Sequence, residues 1–139
     1  MVALSITASQ VQPGSNVATK EGTAGATITA GQCLYLDSAT NTLKLADAND
    51  TAAVAACVGI ALNGASSGQP VEYQSVGSIT LGAGASMTVG EIYLVSTTAG
   101  SIMPEADIAT SNDYVTVLGV ATSASVLKLS INASGAQIP

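Results

Sequence analysis

The sequence contains no histidine, arginine, tryptophan or phenylalanine, and only 9% of its 139 residues are charged. Average globular domains carry about 25% charged residues, so this chain is poor in them. Three lysines stand against nine acidic residues, which gives a net charge of -6. So few cations cannot neutralise a phosphate backbone, and we therefore expect no binding to nucleic acid or to an anionic membrane surface.

The missing histidine also removes the commonest general base and the commonest metal ligand. The carboxylates fall mostly in turn-like segments, and a sugar-binding cleft would lack the aromatic rings that stack on sugars. The acidic cluster at residues 47–50 has neither the glycine nor the glutamate that an EF-hand loop requires downstream. We therefore predict a protein that is not an enzyme, with no catalytic residues, no cofactor and no metal site.

The two cysteines, Cys33 and Cys57, are far apart in sequence, and neither has a second cysteine or a histidine nearby. This spacing excludes the common zinc and thioredoxin motifs. Buried thiols are the simplest interpretation, because free cysteine is among the most buried residue types. A disulfide between the two stays open at this point.

What the sequence does have is small and apolar residues: about half are Ala, Ser, Thr or Gly, and 47% are hydrophobic. Low charge indicates disorder only when hydrophobicity is also low, so we expect the chain to fold as one domain. Short apolar or alternating segments between turn residues are typical of β-strands. The strand candidates are residues 34–36, 43–45, 54–62, 71–76, 79–81, 92–95, 114–120 and 126–131. The alanine-rich runs at 46–56 and 105–109 are compatible with a short helical turn. We predict an all-β fold, a compact antiparallel β-barrel or sandwich.

An internal repeat supports this fold class. Residues 29–36 are similar to residues 88–94 if one residue is deleted, and VGIA at 58–61 is similar to LGVA at 118–121. Two copies are too few for a solenoid. The repeat instead predicts pseudo-duplicated halves that contribute similar strands to one core.

The boundaries of these halves are about 29–79 and 87–135, within a single β domain over residues 29–139. In this alignment Tyr35 is equivalent to Tyr93, and Cys33 lies at or beside the gap. Cys57 falls opposite Val117, an apolar strand position, which favours a core thiol.

The first 28 residues contain few apolar side chains and cannot build a core of their own. We predict an extended N-terminal arm over residues 1–28, ordered where it lies on another surface; a frayed terminus is the alternative. The residues expected to contact a partner are Val11, Pro13, Val17 and Lys20 of the arm, together with Tyr73. Tyr73 has a core interpretation as well, since tyrosine is common both in cores and at interfaces.

The chain start lacks the basic residues of a secretory signal, since the first lysine is Lys20. No apolar stretch reaches the roughly 18 residues of a membrane-spanning helix. We therefore expect a soluble protein made in the cytoplasm.

Several short patterns resemble those of small capsid decoration (cement) proteins of tailed bacteriophages. They follow the polar N-terminal segment and are AGQCLYL at 30–36, VGIA at 58–61, GQPVEY at 68–73 and VLGVA at 117–121. The resemblance covers most of the chain.

The resemblance implies a virion structural protein that stabilises the outer surface of an icosahedral capsid by binding major capsid protein subunits. It further implies a homotrimer on the capsid exterior, synthesised in the bacterial host cytoplasm, with the arm across a neighbouring subunit. Two alternatives stay open: a fibre or spike module that binds host-surface glycans, and a secreted adhesin or surface-layer fragment of similar composition.

Overall fold

A computed structural model describes residues 4–15, 17–107 and 113–137. In these ranges the chain forms a curled antiparallel sheet of ten strands, a half-barrel, which confirms the all-β prediction. One α-helix, α1 (Ala52–Ala55), and short 3-10 turns lie between the strands. The strands are β1 (Gln12–Pro13), β2 (Ala18–Thr23), β3 (Cys33–Asp37), β4 (Thr42–Leu45), β5 (Gly59–Ala61), β6 (Pro70–Thr80), β7 (Ile92–Val95), β8 (Ile102–Pro104), β9 (Tyr114–Ala121) and β10 (Val126–Gln137).

Three of the predicted strand segments differ from the structure. The single strand expected over 54–62 is wrong in its first part, because the Thr51 hydroxyl accepts the Val54 N–H and starts α1 instead. Such a cap satisfies one of the backbone donors that a helix leaves unpaired at its start. Residues 71–76 and 79–81 were expected as two strands, but residues 71–80 all belong to the one long strand β6, and residue 81 follows its end.

Two four-stranded units of identical topology build most of the sheet. The strand order is β4-β3-β5-β6 in the first unit and β8-β7-β9-β10 in the second. The last strands of the units, β6 and β10, pair antiparallel in the middle of the sheet. The two halves therefore have the same strand order, as the sequence repeat predicted.

Backbone hydrogen bonds identify equivalent residues in the two halves. The N–H of Gly31 donates to Ala61 and that of Gly90 donates to Ala121, each at 2.8 Å. Both glycines have positive φ angles, 92° and 85°, which glycine adopts without steric strain. Position 31 of the first half thus corresponds to position 90 of the second.

Strand register extends this equivalence and corrects the alignment. Leu34 lies opposite Gly59, and Tyr93 lies opposite Gly119. Leu34, and not Tyr35, is therefore the equivalent of Tyr93, and no residue is deleted within this strand. The side-chain match of two tyrosines misplaced the gap, because register depends on backbone hydrogen bonds rather than on residue type.

Two clusters of buried residues form the core. The larger lies between the two units and contains Cys33, Ile79, Leu118 and Leu127. The smaller is formed by residues of the first unit and of the segment before it, and it includes Ile28. Its remaining members are Ala24, Leu34, Leu43, Ala61, Ala65 and Val71.

The N-terminal segment lies on the chain's own sheet. Strands β1 and β2 run antiparallel along β6, from Gln12 opposite Thr80 to Thr23 opposite Pro70. Further on, Ala24 forms a bridge to β4, and the segment enters the smaller core cluster. The last residues of the predicted arm therefore help to build the domain.

Candidate partner-binding surface

Strand β2 is held on β6 mainly by its backbone. Its side chains are exposed on both faces of the strand, apart from half-buried Gly22. Upstream, Gly14 lies so close to β6 that a Cβ atom there would be 2.6 Å from the carbonyl oxygen of Ser78. The side chains of this strand are thus free to contact another molecule.

The predicted partner residues fall into three groups in the structure. Pro13, Val17 and Lys20 are exposed, as a contact surface requires. Val11 is only 7% exposed and lies in the larger core cluster, so it belongs to the interior because the chain folds back over its own sheet. Tyr73, opposite Lys20 in the register, is half-buried.

Tyr73 packs against the smaller core cluster and also reaches the surface. Its ring covers Gly59, since a Cβ atom built there would lie 2.6 Å from the Cδ2 atom of Tyr73. Partial burial raises the pKa of the Tyr73 phenol. The residue therefore combines the core and surface roles that the sequence left open.

A notch opens in the sheet beside β2. Gln74 pairs with both β2 and β5, and Val76 pairs with both β2 and β10. Since a strand has two edges, β2 occupies one edge of β6, and β5 and β10 share the other. The pairing of β5 ends at Gln74 and that of β10 ends at Val76, so these two strands diverge at Ser75. Ser75 also has no partner in β2, because the register of β2 shifts there as a bulge. The resulting notch has a volume of about 490 Å³. Its lining residues are Lys20, Cys57, Val58, Ser75, Val76, Leu129, Ser130 and Ile131.

Gln74 stabilises the bulge from the inside. Its Nε2 donates to the carbonyl oxygens of Val76 and Ser78, at 3.1 and 2.8 Å. The side chain is fully buried, and its Oε1 has no hydrogen-bond partner. Sequence reasoning missed this feature, since the order of apolar and polar residues along a strand does not distinguish a buried glutamine from an exposed one.

The surface around the notch combines apolar and cationic groups. Val76 is 52% exposed and Val17 is 39% exposed. Lys20 lines the notch. The ion pair found in the described ranges joins Lys44 to Asp37, so Lys20 takes part in none there. Sequence reasoning had included Val17 and Lys20 but not Val76, which lay in a segment expected to be a strand of the core.

Elsewhere, two carboxylates approach each other. Asp113 is buried, and its burial together with the negative charge of Asp47 raises the pKa of its carboxyl group. Asp47 also accepts the backbone N–H of Asn49 at 3.1 Å, as in an Asx turn. Within the described ranges, no three His, Cys, Asp or Glu side chains come together as a metal site would require.

One further spacing in the sequence has a catalytic interpretation. Ser125 and Lys128 form a Ser-x-x-Lys pattern, the spacing of Ser–Lys hydrolases. Lys128 lies in β10, where three positions along an extended strand span roughly 10 Å. The Ser125 hydroxyl instead faces that of Ser123 at 3.5 Å, so these side chains do not form a Ser–Lys pair.

Comparison with models of known protein families finds no match, and comparison with curated protein sequences finds none either. In the part of the chain that the structure describes, no helix is long and apolar enough to cross a bilayer.

Proposed function

We propose that the chain is a virion structural protein that decorates and stabilises the outer surface of an icosahedral phage capsid. The observation that carries this proposal is the strand β2, held by its backbone and exposed on both faces. A strand that buries almost nothing within its own chain leaves its side chains available to a neighbouring protein. The same strand lies in the segment for which the family resemblance implies contact with a capsid subunit.

The partner in this proposal is the major capsid protein. Val17 and Val76 supply apolar area, and Lys20 supplies the cation beside them. Protein–protein interfaces combine an apolar centre with a polar rim in this way. A capsid repeats its binding site many times, so a modest affinity at each site is enough for dense decoration and stabilisation of the shell.

A homotrimer on the capsid exterior completes the proposal. The outer edges of the sheet belong to the short strands β4 and β8, and the chain covers each only in part, where Gly25 donates to Leu43 and Leu4 donates to Ile102. Unpaired edges invite association with another chain, and a closed ring of subunits would protect them. Light scattering of the free protein tests whether it is a trimer in solution. If trimers assemble only on the shell, images of decorated capsids show them instead.

The direct test mixes purified protein with undecorated shells and measures co-sedimentation and the heat resistance of the shells. Val76→Glu places a charge at the centre of the surface and should weaken binding at least tenfold. Lys20→Glu should also weaken binding. The matched control is Val89→Glu, because Val89 is 67% exposed and lies in the turn before β7.

The expected result is that wild type and Val89→Glu bind and protect the shells, whereas Val76→Glu does not. Removal of residues 1–28 is a poor test, because it would also remove the buried side chains of Val11, Ala24 and Ile28. If the wild-type protein neither sediments with shells nor protects them, the proposal fails. Binding to host-surface glycans without capsid affinity would favour the fibre or spike alternative instead.

A further inference from the structure

The two cysteines of the chain meet in the core. Cys33 lies in β3 and Cys57 just before β5, both belong to the larger core cluster, and both are free thiols. The N–H of Val58, next to Cys57, donates to the carbonyl oxygen of Leu34, next to Cys33, at 2.8 Å, which brings the two cysteines side by side. The Cys57 thiol itself donates to the carbonyl oxygen of Gly59 at 3.3 Å. Residues distant in sequence thus form a contiguous dithiol.

The two thiols differ in their access to solvent. Cys57 is 5% exposed and lines the notch, whereas Cys33 is completely buried. The notch is large enough for small solutes, and a peroxide molecule is little larger than water. A solute that enters it therefore meets Cys57 first.

The fold does not need thiols at these positions. In the second half the residue equivalent to Cys33 is Ile92, by the same register that pairs Leu34 with Tyr93. Counting back two residues from Gly59 and from Gly119 makes Val117 the equivalent of Cys57. One half thus has an apolar pair where the other has a dithiol.

We propose that Cys33 and Cys57 form a peroxide-reactive modification site, in which Cys57 is oxidised first and Cys33 resolves it to a disulfide. In the first step the Cys57 thiolate attacks hydrogen peroxide: an S–O bond forms, the O–O bond breaks, and hydroxide leaves as water after taking up a proton. In the second step the Cys33 sulfur attacks the Cys57 sulfenic acid. The S–S bond forms, the S–O bond breaks, and the hydroxyl group leaves as water with the Cys33 proton.

The electrostatics of the pair agree with this order. The neighbouring Cys33 thiol lowers the pKa of Cys57, and the neighbouring Cys57 thiol together with burial raises the pKa of Cys33. The thiolate is the reactive form of cysteine, so the group with access to the notch is also the one that ionises more readily. This inference goes beyond the proposed function and does not depend on it.

The test treats reduced, full-length protein with hydrogen peroxide and follows intact mass and thiol labelling. Wild type should lose two hydrogen atoms and both alkylatable thiols while staying a single chain on a non-reducing gel. Cys33→Val should stop at the Cys57 sulfenic acid, which dimedone traps. Cys57→Val, which restores the residue of the second half, should leave Cys33 unmodified.

The disulfide closes the segment from Cys33 to Cys57, so oxidised wild type should melt about 5–10 °C above the reduced protein. Neither single variant should show such a shift. The inference is wrong if native protein resists peroxide while urea-unfolded protein is oxidised, if dimedone labels Cys33 first, or if only disulfide-linked dimers form.

Discussion

Gly59 and Gly119 occupy equivalent places in the two halves, and at each of them the next strand takes the space that a side chain would need. A Cβ atom on Gly59 would lie 2.7 Å from the carbonyl oxygen of Gln74, and one on Gly119 would overlap the carbonyl oxygen of Lys128. At Gly119 the obstacle is backbone alone, and at Gly59 it is backbone together with the ring of Tyr73. Backbone cannot turn aside as a side chain can. The repeat is thus present in the packing of the strands as well as in their order.

Alanine at either glycine should therefore destabilise the fold. Overpacking a well-packed interior costs roughly 1–3 kcal/mol, and we expect about 2 kcal/mol for Gly59→Ala and about 3 kcal/mol or more for Gly119→Ala. The measurement is the free energy of unfolding in urea. Gly64→Ala is the control, since its Cβ would make an ordinary 3.5 Å contact with the Ile28 carbonyl oxygen. Similar losses in all three variants would contradict the explanation.

Two halves that contribute similar strands could be predicted, because the repeat and the alternating apolar residues are local properties of the sequence. The order of the strands within each half came from the structure. The alignment of Tyr35 with Tyr93 could not be corrected in the same way. Register depends on which backbone groups meet across strands, and only the structure shows that Leu34 and Tyr93 face equivalent glycines. Residue identity was a poor guide there.

The notch could not be predicted from sequence either. It results from a bulge at Ser75 and from the divergence of β5 and β10 along β6. Those pairings join residues far apart in the chain, and no turn residue marks them. The exposed part of the predicted surface, Pro13, Val17 and Lys20, followed from the polar composition of the first segment, whereas burial of Val11 depended on where that segment docks.

The packing of the N-terminal segment against the domain can be tested by comparing alanine substitutions at two equivalent glycines. A Cβ atom on Gly31 would lie 2.6 Å from Ile6 Cγ2 and 3.1 Å from Val11 Cγ2, whereas no atom lies within 4 Å of one on Gly90. Both glycines have positive φ angles, so alanine costs roughly 1–2 kcal/mol at each from the backbone alone. Gly31→Ala should cost roughly 1–3 kcal/mol more, because it also displaces the docked segment.

The comparison is made by urea denaturation of both variants. Adding Ile6→Ala should bring the cost of Gly31→Ala closer to that of Gly90→Ala, since it removes the side chain nearest to the new Cβ atom. If Gly31→Ala and Gly90→Ala cost the same, the N-terminal residues are not packed against Gly31 in solution.

The ion pair between Lys44 and Asp37 should make a small, pH-dependent contribution to stability. Lys44 Nζ lies 2.8 Å from Asp37 Oδ2, and this contact, together with the Ala39 N–H, lowers the pKa of Asp37. A lowered folded-state pKa gives stability that is present above the usual aspartate pKa of about 3.9 and is lost as the pH falls through the folded value.

Asp37→Asn should therefore lower the melting temperature slightly at pH 7 and lose that difference in strong acid. The asparagine oxygen can still accept the Ala39 N–H, so the turn is preserved. In a double-mutant cycle with Lys44→Met, the second substitution should add little to the first. Equal effects of Asp37→Asn at pH 7 and in strong acid would rule out a role for the charge.

Asp113 should have the opposite dependence on pH, because burial and the charge of Asp47 raise its pKa in the folded protein. The folded state then binds this proton more tightly than the unfolded chain does. Ionisation therefore costs stability, and this cost is absent below the usual aspartate pKa of about 3.9 and complete above the raised folded value.

Asp113→Asn should raise the melting temperature at pH 7 and give no gain in acid below that pKa. Asp50→Asn removes the same charge from an exposed position, and an equal gain from it would assign the effect to net charge instead.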